Sequence, residues 1–473
     1  MNPLTFMPLV IVPFLFACSH VRMPADAQCY SGFTAIDPAT ERRIENAWVV
    51  VAGGRIASLG RGSPPRGCDA ARTHDLRGKF VLPGFIDAHA HITATGMQQI
   101  EVHDGVVTVK MESIDRITKH NARIALARGV TTVRNPGGDP EANARYDRQV
   151  ASGEWPGPEA RHAGAVIEPP PFTGSTFAYP RNDAEWDAEA ARQAALGMTY
   201  FKLYVDLTEA ELAAGIRAAH QHGLEAIAHL NAVSWTRAAE LGIDGLEHAL
   251  PTSADLLEPA ARAAYLAQKE PTSKFMYRWF ELADYDGPLI RRMAALLAQK
   301  KIPVNLTLVV NQLIYNIDDF DPVVPAQEMA DALPEVLAVY LPQIKASATG
   351  WTPEDFDRAR AVFPKVLAFA RLLHEAGVPM MIGTDAGGGS FYARELELHV
   401  QAGIPEWEVL RLATSKTAAL LGMGDRIGRL EPGFEADLVV LDADPLANIG
   451  NAAQVHGVLN NGLLLKAADL RRQ

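Results

Sequence analysis

Cysteine is scarce in this chain, three among 473 residues. That scarcity excludes a disulfide-dense scaffold and leaves a hydrophobic core to hold the fold. Positive charge is in deficit as well. Lys and Arg total 44 against 56 Asp and Glu, a formal net charge of −12. A nucleic-acid binder is marked by a basic patch or stripe, so that class is not expected. No G-x-G-x-x-G follows an apolar run, so the usual cofactor signature of a doubly wound sheet is missing. No internal repeat or low-complexity tract stands out. No apolar run reaches the roughly 20 residues that a membrane-spanning helix needs. What is present is globular: 48% hydrophobic and 21% charged residues. A chain of this length fits one large domain plus a smaller one.

The N-terminus stands apart. "MNPLTFMPLVIVPFLFACSH" is apolar from Phe6 to Ala17 and carries no charged side chain before His20. It reads as a secretory signal over 1–18. "LFAC" resembles the lipobox of bacterial lipoproteins, which would make Cys18 a lipid anchor. Cleavage after Ala27 is the alternative. The expectation is an exported, periplasmic protein. In an oxidising compartment Cys29 and Cys68 could pair, and two free thiols are equally open.

The chain ends read as short β segments around Gly-rich turns, with "NNG" at Asn460–Gly462 as a hairpin signal. Residues 29–80 and 426–473 are therefore expected to form one small β-sandwich domain. The middle, 81–425, alternates short β runs with amphipathic helices. In one unit "TYFKLYV" is a strand, then Thr208 and Glu211 make a capping box and Gly223 ends the helix. Repeated βα units predict an α/β fold of the (β/α)8 TIM-like barrel type, with a doubly wound open sheet as the alternative. A helical insert at about 311–362 follows a strand, where it could cover the active face.

Two histidine pairs share one spacing. His89 and His91 end the apolar run "FVLPGFID"; His220 and His222 lie in the last turn of a capped helix. On a strand, residues two apart point to one face, so His89 and His91 can converge on one ion, with Asp87 placed to orient an imidazole. On a helix, residues two apart diverge by about 200°, so "HQH" is expected to be inert. Lys202, His229, His248 and Asp385 each end another expected strand. In a parallel barrel such ends meet around one mouth.

These motifs resemble the amidohydrolase superfamily. The resemblance rests on "GKFVLPGFIDAHAH", on "LRLATSKTAALLGMGDRIGRLEPGFEADLVVLDADPL" and on the split β domain. Within it, the chain looks most like the imidazolonepropionase-like and Xaa-Pro dipeptidase-like branch. The resemblance implies that His89, His91 and Asp385 bind a first divalent metal ion, and that His229 and His248 bind a second. Lys202, carboxylated by CO2, would bridge the two ions, and zinc suits the ligand set. It further implies hydrolysis of an amide or peptide bond in a dipeptide, N-acyl amino acid or cyclic amide. Water bridging two such ions has a lowered pKa, and Asp385 would serve as general base and acid. An esterase, lactonase or phosphotriesterase on the same site is the alternative. The expected partner is a small-molecule or short-peptide substrate, and a homo-oligomer is expected. His103, Tyr204, Asn231, Thr307, Asn311 and Tyr315 are candidate substrate contacts, each with packing as its plainer role.

Overall fold

The computed structural model describes residues 24, 26–68, 72–94, 97–103, 106–268 and 273–472. The signal-like segment, Cys18 included, lies outside the described residues.

Eight short parallel strands position the site. They are β1 (Phe85–Asp87), β2 (Val130–Asn135), β3 (Glu159–His162), β4 (Tyr200–Leu203), β5 (Glu225–Ala228), β6 (Gly245–Glu247), β7 (Val304–Asn305) and β8 (Met380–Met381). β1 pairs with β2 and β2 with β3; β4 to β8 pair in sequence, all parallel. A parallel bridge links Ala163, just after β3, to Tyr200. Another links Ala90, beyond β1, to Ala386, beyond β8. The Ala88 N–H also donates to the Ile382 carbonyl at 2.7 Å. The arrangement is a TIM-barrel-like α/β fold with helices between its strands.

The helix Glu209–Gln221 shows how sequence dictates such a unit. Thr208 and Glu211 form the reciprocal capping box expected of them, and Leu212, Ile216 and Ala219 bury the inner face. His220 and His222, at its end, go separate ways. His220 pairs with Asp244 and His222 with Asp187, each at 2.7 Å.

Both chain ends enter one eight-stranded sheet. Its strand Leu438–Leu441 runs antiparallel to Phe80–Pro83 on one side and Val455–Asn460 on the other. Alternation along that strand divides the cores. Leu438 and Val440 pack with Tyr30, Phe33 and Val49, whereas Val439 and Leu441 join the large core with Phe85 and Val130. The hairpin signal holds: Asn461 and Gly462 have φ of 49° and 79°, as a type I′ turn requires. Cys29 and Cys68 are joined by a disulfide.

Two local departures from the sequence reading have physical causes. "FVLPGFID" reads as one strand but splits between two sheets: Phe80–Pro83 serves the terminal sheet and Phe85–Asp87 is β1. The break falls at Gly84, where a Cβ would lie 2.0 Å from Thr131 Oγ1. The helical insert holds the helices Ala326–Asp331 and Pro334–Ser347, but its expected end lies inside one continuous helix, Pro353–Glu375. The Thr352–Asp355 capping box starts that helix early, and Pro364 is exposed, so the carbonyl it leaves without a donor is near water. The insert grips the barrel through Asp331, 3.0 Å from the Arg128 guanidinium, and through Glu328, which accepts from the Phe391 N–H at 2.9 Å.

Candidate metal centre

The strand ends bring His89, His91, Lys202, His229, His248 and Asp385 to one mouth. Asp385 is the hub. Its Oδ1 lies 3.1 Å from His89 Nε2 and 3.0 Å from His91 Nε2, and its Oδ2 lies 3.9 Å from His248 Nδ1. His89, His248 and Asp385 can offer one ligand atom each, all within 4.8 Å of one another. Tetrahedral ligands at zinc bond lengths stand about 3.3 Å apart, so this spacing suits one ion. The His229 ring centroid is 4.3 Å from that of His248, and the His89 centroid is 4.7 Å from His248. Lys202 Nζ and His229 Nδ1 are buried and have no hydrogen-bond partner. Buried polar atoms are rarely left so, and a cation would satisfy His229 directly. The donor set therefore fits divalent metal.

Electrostatics agree with that fit. Burial lowers the Lys202 ammonium to about 8 against the pull of Glu247 and Asp385. Burial, then the Lys202 charge, lowers His229 to about 3, and burial drives His248 well below its ordinary value. Both rings are thus neutral and carry lone pairs for a metal. Burial alone would raise Asp385, but the facing histidines, His248 first and then His89, hold its carboxyl well below the usual range when they carry charge.

Backing residues fix the ring orientations. His89 Nδ1 lies 2.7 Å from Glu247 Oε2, His91 Nδ1 3.2 Å from the Gly137 carbonyl and His248 Nδ1 2.8 Å from Thr307 Oγ1. A donor Nδ1–H in each leaves Nε2 as the ligating atom. Glu247 is in turn gripped by Arg134, whose Nη2 lies 2.7 and 2.8 Å from its two oxygens. Asp87, expected to orient an imidazole, instead pins backbone. It accepts from the His89 and Thr384 N–H groups at 3.1 Å each and from the Thr384 hydroxyl at 2.8 Å. Glu247 takes the expected role. Its signal in the sequence was a glutamate inside the buried run "GLEH", with an arginine, Arg134, inside another.

Three residues here hold a left-handed backbone: His248 (φ 66°), Thr307 (φ 43°) and Asp385 (φ 58°). For a β-branched residue such as Thr307 this is a strained state, costing about 1–3 kcal/mol.

The candidate substrate contacts separate by place. Tyr204 stands beside the centre, its ring edge-on to His229 at 5.1 Å. Asn231 accepts from the Thr252 hydroxyl at 3.1 Å. Thr307 backs His248. Asn311 and Tyr315 are fully buried, and the Tyr315 hydroxyl donates to the Met276 carbonyl at 2.9 Å, a packing role. His103 ends the strand Met97–His103, and its side chain lies outside the described residues.

A TIM-barrel-like fold with a histidine–aspartate cluster at its strand ends defines a hydrolase class that works through metal. Residues 80–465 match the model of the amidohydrolase family, and the chain belongs to that family. It is a hydrolase acting on carbon–nitrogen bonds. It is 26% identical over 414 residues to an imidazolonepropionase of Streptomyces griseus subsp. griseus, covering 85% of this chain and 86% of that protein. Solved structures of the same fold include a putative prolidase from Bifidobacterium longum, with TM-score 0.65, 23% identity, and coverage of 93% of this chain and 94% of that one. Another is a Xaa-Pro dipeptidase with methionine bound in its active site, with TM-score 0.65, 20% identity, and coverage of 93% and 100%.

Proposed function

We propose that this protein is an exported binuclear metal hydrolase that cleaves an amide or peptide bond in a small substrate, a dipeptide, N-acyl amino acid or cyclic amide. His89, His91 and Asp385 would hold one ion, His229 and His248 the other, and a carboxylated Lys202 would bridge them. The observation that carries this reading is the pair of buried atoms without a hydrogen-bond partner at the mouth, Lys202 Nζ and His229 Nδ1, beside the His89–His91–Asp385 cluster. An ammonium has no lone pair for a cation, whereas a carbamate is an anionic ligand. The lowered Lys202 pKa supports carboxylation, because only the free amine attacks CO2.

When bound, the ions supply a water of lowered pKa and polarise the scissile carbonyl. Asp385, beside His89 and His91, would accept a proton from the attacking water and deliver it to the departing nitrogen as the carbon–nitrogen bond breaks. Its depressed pKa keeps it ready as a base. An amine leaves poorly unless protonated, so this delivery matters most for amides. Glu247 and Thr307 hold the His89 and His248 rings at Nδ1, which would leave each Nε2 for an ion.

Eight strands closed into a full barrel, with 29–80 and 426–473 as a small sandwich-like domain, complete the reading; the bridges at Ala90 and Ala163 support closure. The Cys29–Cys68 disulfide supports an oxidising compartment, consistent with a signal at 1–18 and an anchor at Cys18. The test is turnover of matched amide and ester panels by zinc-loaded protein. Release of free amine from dipeptides or N-acyl amino acids is expected, and cleavage of esters alone would overturn the assignment.

A further inference from the structure

We infer that Glu395 is a positioning residue for His248, acting through the first turn of the helix Leu308–Tyr315. The inference rests on the metal-centre reading above.

The first amides of any helix lack an intrahelical acceptor, and an N-cap Thr ordinarily supplies one with its own hydroxyl. Thr307 occupies the N-cap of this helix yet makes no side-chain cap bond. The role is filled from another element. Glu395, on the helix Tyr392–Gln401 and 0% exposed, accepts from the Leu308 N–H at 2.9 Å through Oε1 and from the Val309 N–H at 2.7 Å through Oε2. The Thr307 hydroxyl is thereby free for a different partner, and it lies 2.8 Å from His248 Nδ1. The backbone around it is already fixed: the His248 N–H donates to the Asn305 carbonyl at 2.6 Å and the Ala249 N–H to the Leu306 carbonyl at 2.7 Å. The strained φ of Thr307 is what turns its side chain from the helix toward the histidine. Glu395 thus takes over the capping duty, Thr307 holds the His248 tautomer, and Nε2 stays directed at the ion.

Equilibrium zinc binding, read beside circular dichroism and thermal melting, tests this. In Glu395→Gln the amide accepts one N–H but turns its own NH2 toward the other, and the Thr307 hydroxyl is drawn back to cap the helix. Affinity for the more weakly held zinc ion is expected to fall at least about tenfold. Thr307→Val is expected to fall likewise and Thr307→Ser to keep wild-type affinity. The double variant Glu395→Gln/Thr307→Val is expected to be no worse than Thr307→Val alone, since both cut one chain of contacts. Glu395→Asp, which keeps a carboxyl but shortens its reach, serves if the Gln variant does not fold. If neither folds, the Thr307 pair decides.

A folded Glu395 variant with a lower melting temperature but wild-type zinc affinity overturns the inference, as does Thr307→Val with wild-type affinity or full additivity in the double variant. Wild-type protein that takes up no zinc would instead remove the metal-centre reading itself. Wild type and variants all binding two ions alike would remove only the role of Glu395.

Discussion

Glu247→Gln is the sharpest perturbation of the site's foundation. Glu247 is 0% and Arg134 1% exposed, so their ion pair lies fully inside the barrel. Neutralising one partner leaves the Arg134 charge buried without compensation, which costs about 3–5 kcal/mol. The same change weakens the carboxylate that orients His89, so metal affinity should drop by about 10–100-fold. Denaturant titration in excess chelator isolates the first effect, because bound metal would otherwise add its own stabilisation. Arg134→Met combined with Glu247→Gln removes the stranded charge and should recover part of the loss. Recovery stays partial because Arg134 Nε also donates to the Ala88 carbonyl at 2.6 Å, just before His89. The pH dependence has a definite sign. Burial would raise Glu247, but Arg134, His89 and Lys202 hold it well below its ordinary 4.5. Its contribution is therefore fully present above about pH 4.5 and is lost as the pH falls toward the depressed value. A single variant within about 1 kcal/mol of wild type, or a double variant no more stable than the single, would refute this reasoning.

Other outcomes follow from particular contacts. His220→Gln and His222→Gln should leave metal content and turnover unchanged, because each ring pairs with its own aspartate, Asp244 or Asp187, away from the strand-end cluster; elemental analysis with an activity assay checks it. Gly84→Ala should destabilise by about 1–3 kcal/mol, since its Cβ would collide with Thr131, and a denaturation curve measures this. Replacing Cys29 and Cys68 by Ser opens a link with sequence separation 39 and should cost up to about 4 kcal/mol on chain-entropy grounds, read as a lower denaturation midpoint.

That His89, His91, Lys202, His229, His248 and Asp385 would meet was legible in the sequence because each follows an apolar β run, and parallel strands deliver their ends to one place. The divergence of the two "HQH" rings was legible for the same geometric reason, turned around. What could not be read was anything decided between strands distant in sequence. Glu247 meets His89 across 158 positions and Glu395 meets Leu308 across 87. Neither pairing leaves a local pattern. Thr307 read as a pocket residue because "NLTLV" looks like a continuing strand, whereas a helix begins at Leu308. Gly84 leaves no local signal either, because the close approach of Thr131 comes from the neighbouring strand Val130–Asn135.

The most direct test of the central claim counts metal ions in purified wild type and in Lys202→Ala while measuring amide hydrolysis. Two divalent ions per wild-type chain are predicted, with hydrolysis lost on chelation and restored by zinc. Lys202→Ala should lose metal and activity together. A Lys202→Ala protein that keeps both ions and hydrolyses amides at the wild-type rate would contradict the account.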